Sequence, residues 1–237
     1  MEDLKLTQTL DISSEKNVYV VGDLHGCYSL LMEKLSEIGF NKETDVLISV
    51  GDLVDRGDEN MECISLLDKE WFYAVRGNHE QFCIDGKDDY NVSYYHKMRN
   101  NGGAWFYEQD EITQGCIVEK FKQIPILLTV RYKGKKFGFA HGDVPYQDWE
   151  LLNDCVERGL PIDGRDLTQA IMWSRTIVDR DEYVDIAQVD NIFLGHTVLT
   201  DGVKQIGNCT FLDTGAVFQK VYPNNCKLTV LNLNDYL

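Results

Sequence analysis

Three stretches of the chain decide its fold: VYVVGDLHG at residues 18–26, VLISVGDLVDRG at residues 46–57 and WFYAVRGNHE at residues 71–80. Each begins with a short run of β-branched, aromatic or other apolar residues, which is typical of a buried strand, and each run ends in a polar loop that contains glycine. After the first loop, Leu31, Leu35 and Ile38 fall on one face of a predicted helix. Strands that alternate with amphipathic helices predict βαβ units and a largely parallel sheet.

The second half of the chain supplies further predicted strands, at residues 126–132, 137–140, 192–194, 210–213, 216–221 and 228–233. Acidic and aromatic patches between residues 85 and 120 predict helices and a long loop. We therefore predict a mixed α/β fold in which two mixed β-sheets pack face to face and are flanked by helices, with the second sheet built from the second half of the chain. Its 237 residues, 43% of them hydrophobic, contain no linker, which predicts a single domain over residues 1–237.

The charge of the chain argues against nucleic acid as a partner. Asp and Glu number 39 against 23 Lys and Arg, which leaves a formal net charge of -16. This field repels phosphate backbones, so nucleic acid is an unfavourable partner. Small phosphorylated substrates would be repelled as well, unless metal ions or arginines supply positive charge at the site.

The cysteines and the amino terminus point to the cytoplasm. The seven cysteines are odd in number, widely spaced and never arranged as C-x-x-C, which argues against a disulfide framework and a zinc knuckle and predicts reduced, mostly buried thiols. The first residues are polar and acidic, without the apolar core of a signal peptide, and no stretch is long enough to span a membrane. We expect a cytoplasmic protein without a membrane partner; nothing in the sequence indicates its oligomeric state.

Metal-ligating side chains follow the predicted strands directly. Ligands in α/β folds collect beyond the carboxyl ends of the strands, where this chain places Asp23, His25, Asp52, Asp55, Arg56, Asn78, His79, His141 and His196. Taken singly, such residues usually cap helices, fill turns or serve structure, but here they recur in order after successive strands. Of the five histidines only His96 lies outside the set.

The donor types narrow the chemistry to a binuclear metal site. Carboxylate oxygen, imidazole nitrogen and one amide oxygen, without thiolate, suit Mn²⁺, Fe or Zn²⁺. Two ions about 3.5 to 4 Å apart can share a bridging carboxylate and a bridging hydroxide, which is a nucleophile at neutral pH. In the loop of Asp52, the Arg56 guanidinium could bind two phosphate oxygens, although a surface ion pair is the alternative.

These residues carry a resemblance to a known family. GDLHG at 22–26, GDLVDRG at 51–57 and RGNHE at 76–80 resemble the signature blocks of the phosphoprotein phosphatase family of metallophosphoesterases, in its bacterial and phage serine/threonine branch. NGGAWF at 101–106, LGHT at 194–197 and DTGAVF at 213–218 extend the similarity over nearly the whole chain. The fold implied by the resemblance is the calcineurin-like sandwich of two mixed sheets.

The resemblance also implies roles for individual residues. Asp23 and His25 would bind the first metal, Asp52 would bridge, and the second metal would be bound by Asn78, His141 and His196. His79 would be the general acid, oriented by Asp55, and the phosphate would be bound by Arg56 and Arg175. The implied cofactors are two divalent ions, above all Mn²⁺, and the implied substrates are phosphorylated proteins or peptides carrying phosphoserine, phosphothreonine or phosphotyrosine. A bacterial or phage-infected cell is the implied location.

Two alternatives stay open on the sequence alone. A diadenosine polyphosphate hydrolase would use the same metal blocks, but it resembles a family that typically has Ala where Asp55 stands. A catalytically inactive, metal-binding interaction module would be expected to lose a ligand or the acid, and this chain retains both. Residues 85–99 and the Gly-Asp pair after His141 depart from the family pattern, which leaves the choice of substrate open.

Overall fold

A computed structural model describes residues 4–237 as two β-sheets with helices outside them. In chain order, strands β1 to β10 of this part of the chain are Thr7–Ile12, Val18–Val21, Val46–Ser49, Phe72–Ala74, Leu127–Tyr132, Lys135–Phe139, Asn191–Leu194, Lys204–Ile206, Cys209–Phe211 and Val230–Asn232. One sheet has four strands in the order β10-β2-β3-β4, and the other has six in the order β1-β5-β6-β7-β9-β8. Strands β2, β3 and β4 are parallel to one another, as predicted, and β10 runs antiparallel to β2.

The helices lie between and after these strands. Helices α1 to α9 are Tyr28–Glu37, Asn60–Ser65, Asn78–Gly86, Tyr90–His96, Ala104–Tyr107, Glu111–Lys122, Trp149–Glu157, Leu167–Trp173 and Thr176–Arg180. Short 3-10 helices cover Leu66–Asp68, Ala216–Phe218 and Leu233–Tyr236. Residues 85–120 are therefore mainly helical, with a loop before α5, in agreement with the prediction.

The two sheets pack face to face through one apolar layer. Val18 and Val20 of β2 are fully buried in the same cluster as Val130 of β5 and Phe193 of β7. Alternate residues of a strand point to opposite faces, so Val21 of β2 joins a different cluster, which contains residues of α1 and α6. Both faces of β2 are thus buried, which explains its continuous apolar sequence. The predicted fold class, two mixed sheets flanked by helices, is confirmed.

Two sequence predictions about strands are wrong. Residues 216–221 do not form a strand: Gly215 has a φ of 77°, Ala216–Phe218 forms a 3-10 helix, and Val221 is 67% exposed. The second sheet is not built from the second half alone, because the amino-terminal β1 pairs in parallel with β5 at its edge and the late strand β10 joins the first sheet. Strand β1 was not predicted from the sequence, because its residues are mostly polar and only half-buried, as those of an edge strand can be.

The cysteines are mostly buried, as the sequence predicts. All seven cysteines are free, and five of them are buried. Among residues 4–237, no helix is both long enough and apolar enough to cross a membrane.

Candidate metal centre

Hydrogen bonds between backbones join the loops that follow β2 and β3. The amides of Leu24 and His25 donate to the Asp52 carbonyl at 3.0 and 2.9 Å, and the Gly26 amide donates to the Leu53 carbonyl at 2.9 Å. The left-handed backbone region is costly for residues other than glycine, by about 1–3 kcal/mol each, and it collects at functional sites. Of the nine described non-glycine residues with positive φ, five are predicted site residues: His25, Asp52, Asp55, Arg56 and His196.

Asp52 lies at the centre of the site. Its Oδ2 is 3.6 Å from His25 Nε2, 3.3 Å from His141 Nε2 and 3.8 Å from His79 Nε2. Two buried groups of possible ligands, with all their donor atoms within 4.8 Å, share this residue: one adds His25 and His79, the other His141 and His196. Burial alone would raise the pKa of Asp52, but the charges of His141 and His79 hold it well below its usual value. Because Asp52 belongs to both donor groups, its carboxylate has the position expected of a ligand shared by two metal ions.

Each of the three predicted histidine ligands has one ring nitrogen held by a backbone carbonyl. His25 Nδ1 donates to Val54 O at 2.9 Å and His141 Nδ1 to Val50 O at 2.7 Å, so their Nε2 atoms remain to act as ligands. In His196 it is Nε2 that donates, to Trp173 O at 3.2 Å, which leaves Nδ1. Such bonds fix the tautomer and the ring orientation of metal-binding histidines.

Asn78 and Asp23 complete the predicted ligand set. Asn78 Oδ1 lies 3.0 Å from His141 Nε2, so both donor atoms face the same place. Asp23 lies outside the groups with donor atoms within 4.8 Å of one another; its oxygens accept from the His196 amide at 3.2 and 3.0 Å. The structure therefore places Asp23 against the His196 loop.

Two buried carboxylates without a salt bridge indicate that the site suits cations. Burial and the neighbouring carboxylates of Asp213 and Asp52 raise the pKa of Asp23 well above its usual value. Asp213 is buried, and its Oδ2 has no hydrogen-bond partner. Neither residue forms a salt bridge within residues 4–237. Buried carboxylates without a cation are costly, and together with the oxygen and nitrogen donors above they fit divalent ions.

His79 and Asp55 form a buried pair beside these donors. His79 Nδ1 lies 2.6 Å from Asp55 Oδ2, and both side chains are at most 1% exposed. Burial would raise the pKa of Asp55, but hydrogen bonds from His79 and His96 and their charges lower it to about 2. The carboxylate is thus ionised and can only accept, so the Nδ1 of His79 is a donor and its Nε2 is the atom that faces Asp52.

The two arginines predicted to bind phosphate have different surroundings. Arg56 is half-buried; its Nε donates to Asn100 O at 3.1 Å and its Nη1 contacts His25 Nε2. Arg175 is exposed at the start of α9. Burial and the charges of His141 and Arg175 outweigh the Asp52 carboxylate and lower the pKa of His196 to about 3. Arg175 follows two residues after Trp173, whose carbonyl accepts from His196.

Asp143 explains the Gly-Asp pair after His141. Its Oδ2 accepts from Ser174 Oγ at 2.6 Å and from the Thr176 amide at 2.8 Å, on either side of Arg175. A side chain on Gly142 would lie 3.0 Å from the carbonyl oxygens of the same segment. Asp143, which departs from the family pattern, therefore holds the loop that carries Arg175.

Sequence reasoning missed two supporting residues in the RGNHE block. Glu80 is fully buried and accepts from the amides of Gly77, Asp52 and Leu53 at 2.8, 3.0 and 2.7 Å, which ties α3 to the Asp52 loop. Glu80 stands three residues after the helix N-cap Gly77 and accepts from its amide, which is the half of a capping box that a glycine N-cap permits. Arg76 is also buried and donates to carbonyls such as Ile124 O at 2.8 Å, so it supports the fold and does not face the site.

The chain is similar to known phosphoesterases in sequence and in fold. The family described as calcineurin-like phosphoesterase matches residues 16–199. Serine/threonine-protein phosphatase 2 of Salmonella typhimurium is 33% identical over 221 residues, which cover 90% of this chain and 94% of that protein. A symmetrical bis(5'-nucleosyl)-tetraphosphatase of Pasteurella multocida is 44% identical, but over only 56% of this chain and 46% of its own length. A crystal structure of a candidate diadenosine tetraphosphatase shares the fold, with a TM-score of 0.65 and 16% identity over 98% of this chain and 96% of that one.

Proposed function

The chain belongs to the calcineurin-like phosphoesterase family, and on this premise we propose that it is a metal-dependent protein serine/threonine phosphatase. The observation that carries the proposal is the buried hydrogen bond of 2.6 Å between His79 and Asp55, next to the donors around Asp52. An alkoxide leaving group is strongly basic, so hydrolysis of phosphoserine needs an acid at this place. The near full-length similarity to a bacterial serine/threonine phosphatase supports the same substrate class.

We assign the metal-binding role to the six donors predicted from the sequence: Asp23, His25, Asp52, Asn78, His141 and His196. When bound, two divalent ions would neutralise phosphate charge and provide an activated water as nucleophile. Mn²⁺ is the proposed metal, since the donor set is of borderline hardness and includes three imidazoles. With a net charge of -16, the protein depends on such local positive charge to attract a phosphorylated substrate.

Side chains of the protein would bind the phosphate and transfer the proton. Arg56 and Arg175 bind the phosphate oxygens, for which a planar guanidinium is suited. His79 delivers a proton from Nε2 to the leaving oxygen, while Asp55 accepts from Nδ1 and fixes the direction of the ring. A cavity of about 670 Å³ lined by Asp143, Trp173 and Ser174 opens beside the Arg175 loop and offers room for the residues that flank a phosphoserine.

One comparison of substrates tests this function. Protein loaded with Mn²⁺ is given a phosphoserine peptide and, separately, diadenosine tetraphosphate, with chelated protein as the control. We expect turnover of the peptide and little hydrolysis of the dinucleotide. The opposite preference would favour a diadenosine polyphosphate hydrolase, and no turnover of either substrate by a protein that binds two ions would favour an inactive metal-binding module. The cytoplasmic location and the single domain of residues 1–237 stay predictions from the sequence.

A further inference from the structure

His96, which the sequence left outside the set of site residues, is bound to that set by a short hydrogen bond. Its side chain is completely buried, and its Nε2 lies 2.6 Å from Asp55 Oδ2, the same oxygen that accepts from His79 Nδ1 at 2.6 Å. The other oxygen, Asp55 Oδ1, accepts from Trp105 Nε1 at 2.7 Å. Three ring N–H groups therefore bind one carboxylate, and only one of them belongs to the acid His79.

The position of His96 is itself constrained on every side. Its Nδ1 lies 3.0 Å from the hydroxyl of Tyr107, and its ring stacks on Phe82 at 5.1 Å with an interplanar angle of 18°. A Cβ on Gly103 would lie 2.0 Å from the imidazole, so only glycine leaves room for the ring. With Tyr107 donating to Nδ1, Nε2 carries the proton that Asp55 accepts. This packing holds the ring and its tautomer in one arrangement.

The geometry separates the task of His96 from that of His79. His79 lies near Asp52 and shares a donor group with it, whereas His96 is completely buried and contacts Asp55. A carboxylate that accepts from a single imidazole can rotate about its Cα–Cβ and Cβ–Cγ bonds and carry that imidazole with it. The hydrogen bonds that Asp55 Oδ2 accepts from His96 and Oδ1 accepts from Trp105 prevent both rotations.

We propose that His96 is a positioning residue for the leaving-group proton transfer: with Trp105 it fixes the Asp55 carboxylate, and through it the aim of His79. The role rests on the proposed phosphatase function, in which His79 is the acid. It accounts for the NGGAWF segment, since Gly103 makes room for His96 and Trp105 supplies the second donor. His96 and Trp105 lie 41 and 50 residues from Asp55 in the chain, so the sequence did not indicate that they contact it.

The kinetic test compares two substitutions of His96. His96→Leu removes the donor, whereas His96→Gln keeps an amide N–H near the position of Nε2. We expect His96→Leu to lower kcat on a phosphoserine peptide by about 10- to 100-fold, as loss of an orienting partner does, with KM and bound metal unchanged. The loss on para-nitrophenyl phosphate should be distinctly smaller, because nitrophenolate leaves without a proton. His96→Gln should recover part of the lost rate, and Trp105→Phe should show the same asymmetry.

Two further measurements, a double-mutant cycle with Asp55 and an NMR spectrum of the imidazole N–H protons, distinguish a positioning role from a general loss of structure. If His96 acts through Asp55, its substitution should cost little further rate in an Asp55→Asn background. In wild-type protein loaded with diamagnetic Zn²⁺, the two short bonds should give two low-field imidazole N–H resonances. His96→Gln should remove one and shift the other, which would show the coupling without any assay of activity.

Several outcomes would overturn the proposal. These are equal losses on the two substrates, additivity with Asp55→Asn, or an unshifted His79 resonance in His96→Gln. Should His96→Leu fail to fold, His96→Gln and Trp105→Phe carry the same test. A wild-type protein that does not hydrolyse phosphoserine peptides would contradict the proposed function instead, and the resonances would still show whether His96 and His79 are coupled through Asp55.

Discussion

Gly77→Ala should damage the metal centre although the residue binds no metal. A Cβ at position 77 would lie 2.1 Å from Asp52 Oδ1 and 2.5 Å from the Asp52 amide nitrogen, where an ordinary contact needs 3.4 Å. The carboxylate must therefore shift by about 1.3 Å, or the backbone of the Asp52 loop must move. The shift would also stretch the bond of 3.0 Å that Oδ1 accepts from the His79 amide.

The size of the effect follows from this displacement. Misplacing a reacting group by about 1 Å can cost about 10²-fold in rate, so we expect kcat to fall by about 100-fold and the affinity for Mn²⁺ to fall with it. Overpacking should cost about 1–3 kcal/mol of stability, and a domain of this size loses about 2–4 °C in Tm for each kcal/mol. The backbone at Gly77 has a φ of -91°, which alanine adopts freely, so the effect is purely steric.

Gly115→Ala is the matched control. Gly115 lies within α6, and apart from the helix's own backbone no heavy atom lies within 4 Å of the position of a Cβ, so alanine there should stabilise the protein by about 0.5–1 kcal/mol without changing turnover. Calorimetric titration with Mn²⁺, kcat on para-nitrophenyl phosphate and thermal unfolding are measured for both variants. If Gly77→Ala binds Mn²⁺ and turns over like the wild type, Asp52 is not held where the site needs it, and the reasoning fails.

Three further predictions concern the proposed chemistry. Chelated protein should lose turnover and unfold at a lower temperature, because Asp23 and Asp52 then stay buried without cations, and Mn²⁺ should restore both; full activity without metal would contradict the two-metal site. His79→Asn should keep both ions but lose about 10²- to 10⁴-fold on phosphoserine peptides and distinctly less on para-nitrophenyl phosphate, whereas equal losses would place His79 on the phosphoryl group or the nucleophile. Arg56→Ala and Arg175→Ala should each raise KM and lower kcat, and an arginine whose removal leaves steady-state kinetics unchanged does not bind phosphate.

The sequence alone predicted that the polar side chains after β2, β3 and β4 lie close together, as those of His25, Asp52 and His79 do. Three successive parallel strands end in loops with carboxylate, imidazole or amide side chains, and in a parallel sheet those ends meet at one edge, so order along the chain was sufficient. The hydrogen bond that Glu80 accepts from the Gly77 amide is likewise local, since it lies within a single turn of α3. Both features depend on short-range chain geometry, which the sequence encodes directly.

The surroundings of the acid could be decided only by the tertiary structure. His96 reaches Asp55 because α4 packs behind the Asp55 loop, and Asp143 reaches the Arg175 loop because β6 and α8 end side by side. The strand β1 and the 3-10 helix at Ala216–Phe218 were likewise unpredictable, because pairing at a sheet edge and the backbone conformation after Gly215 override the local preference for a strand. Sequence patterns report which face of an element is apolar, whereas contacts between elements far apart in the chain depend on how those faces pack.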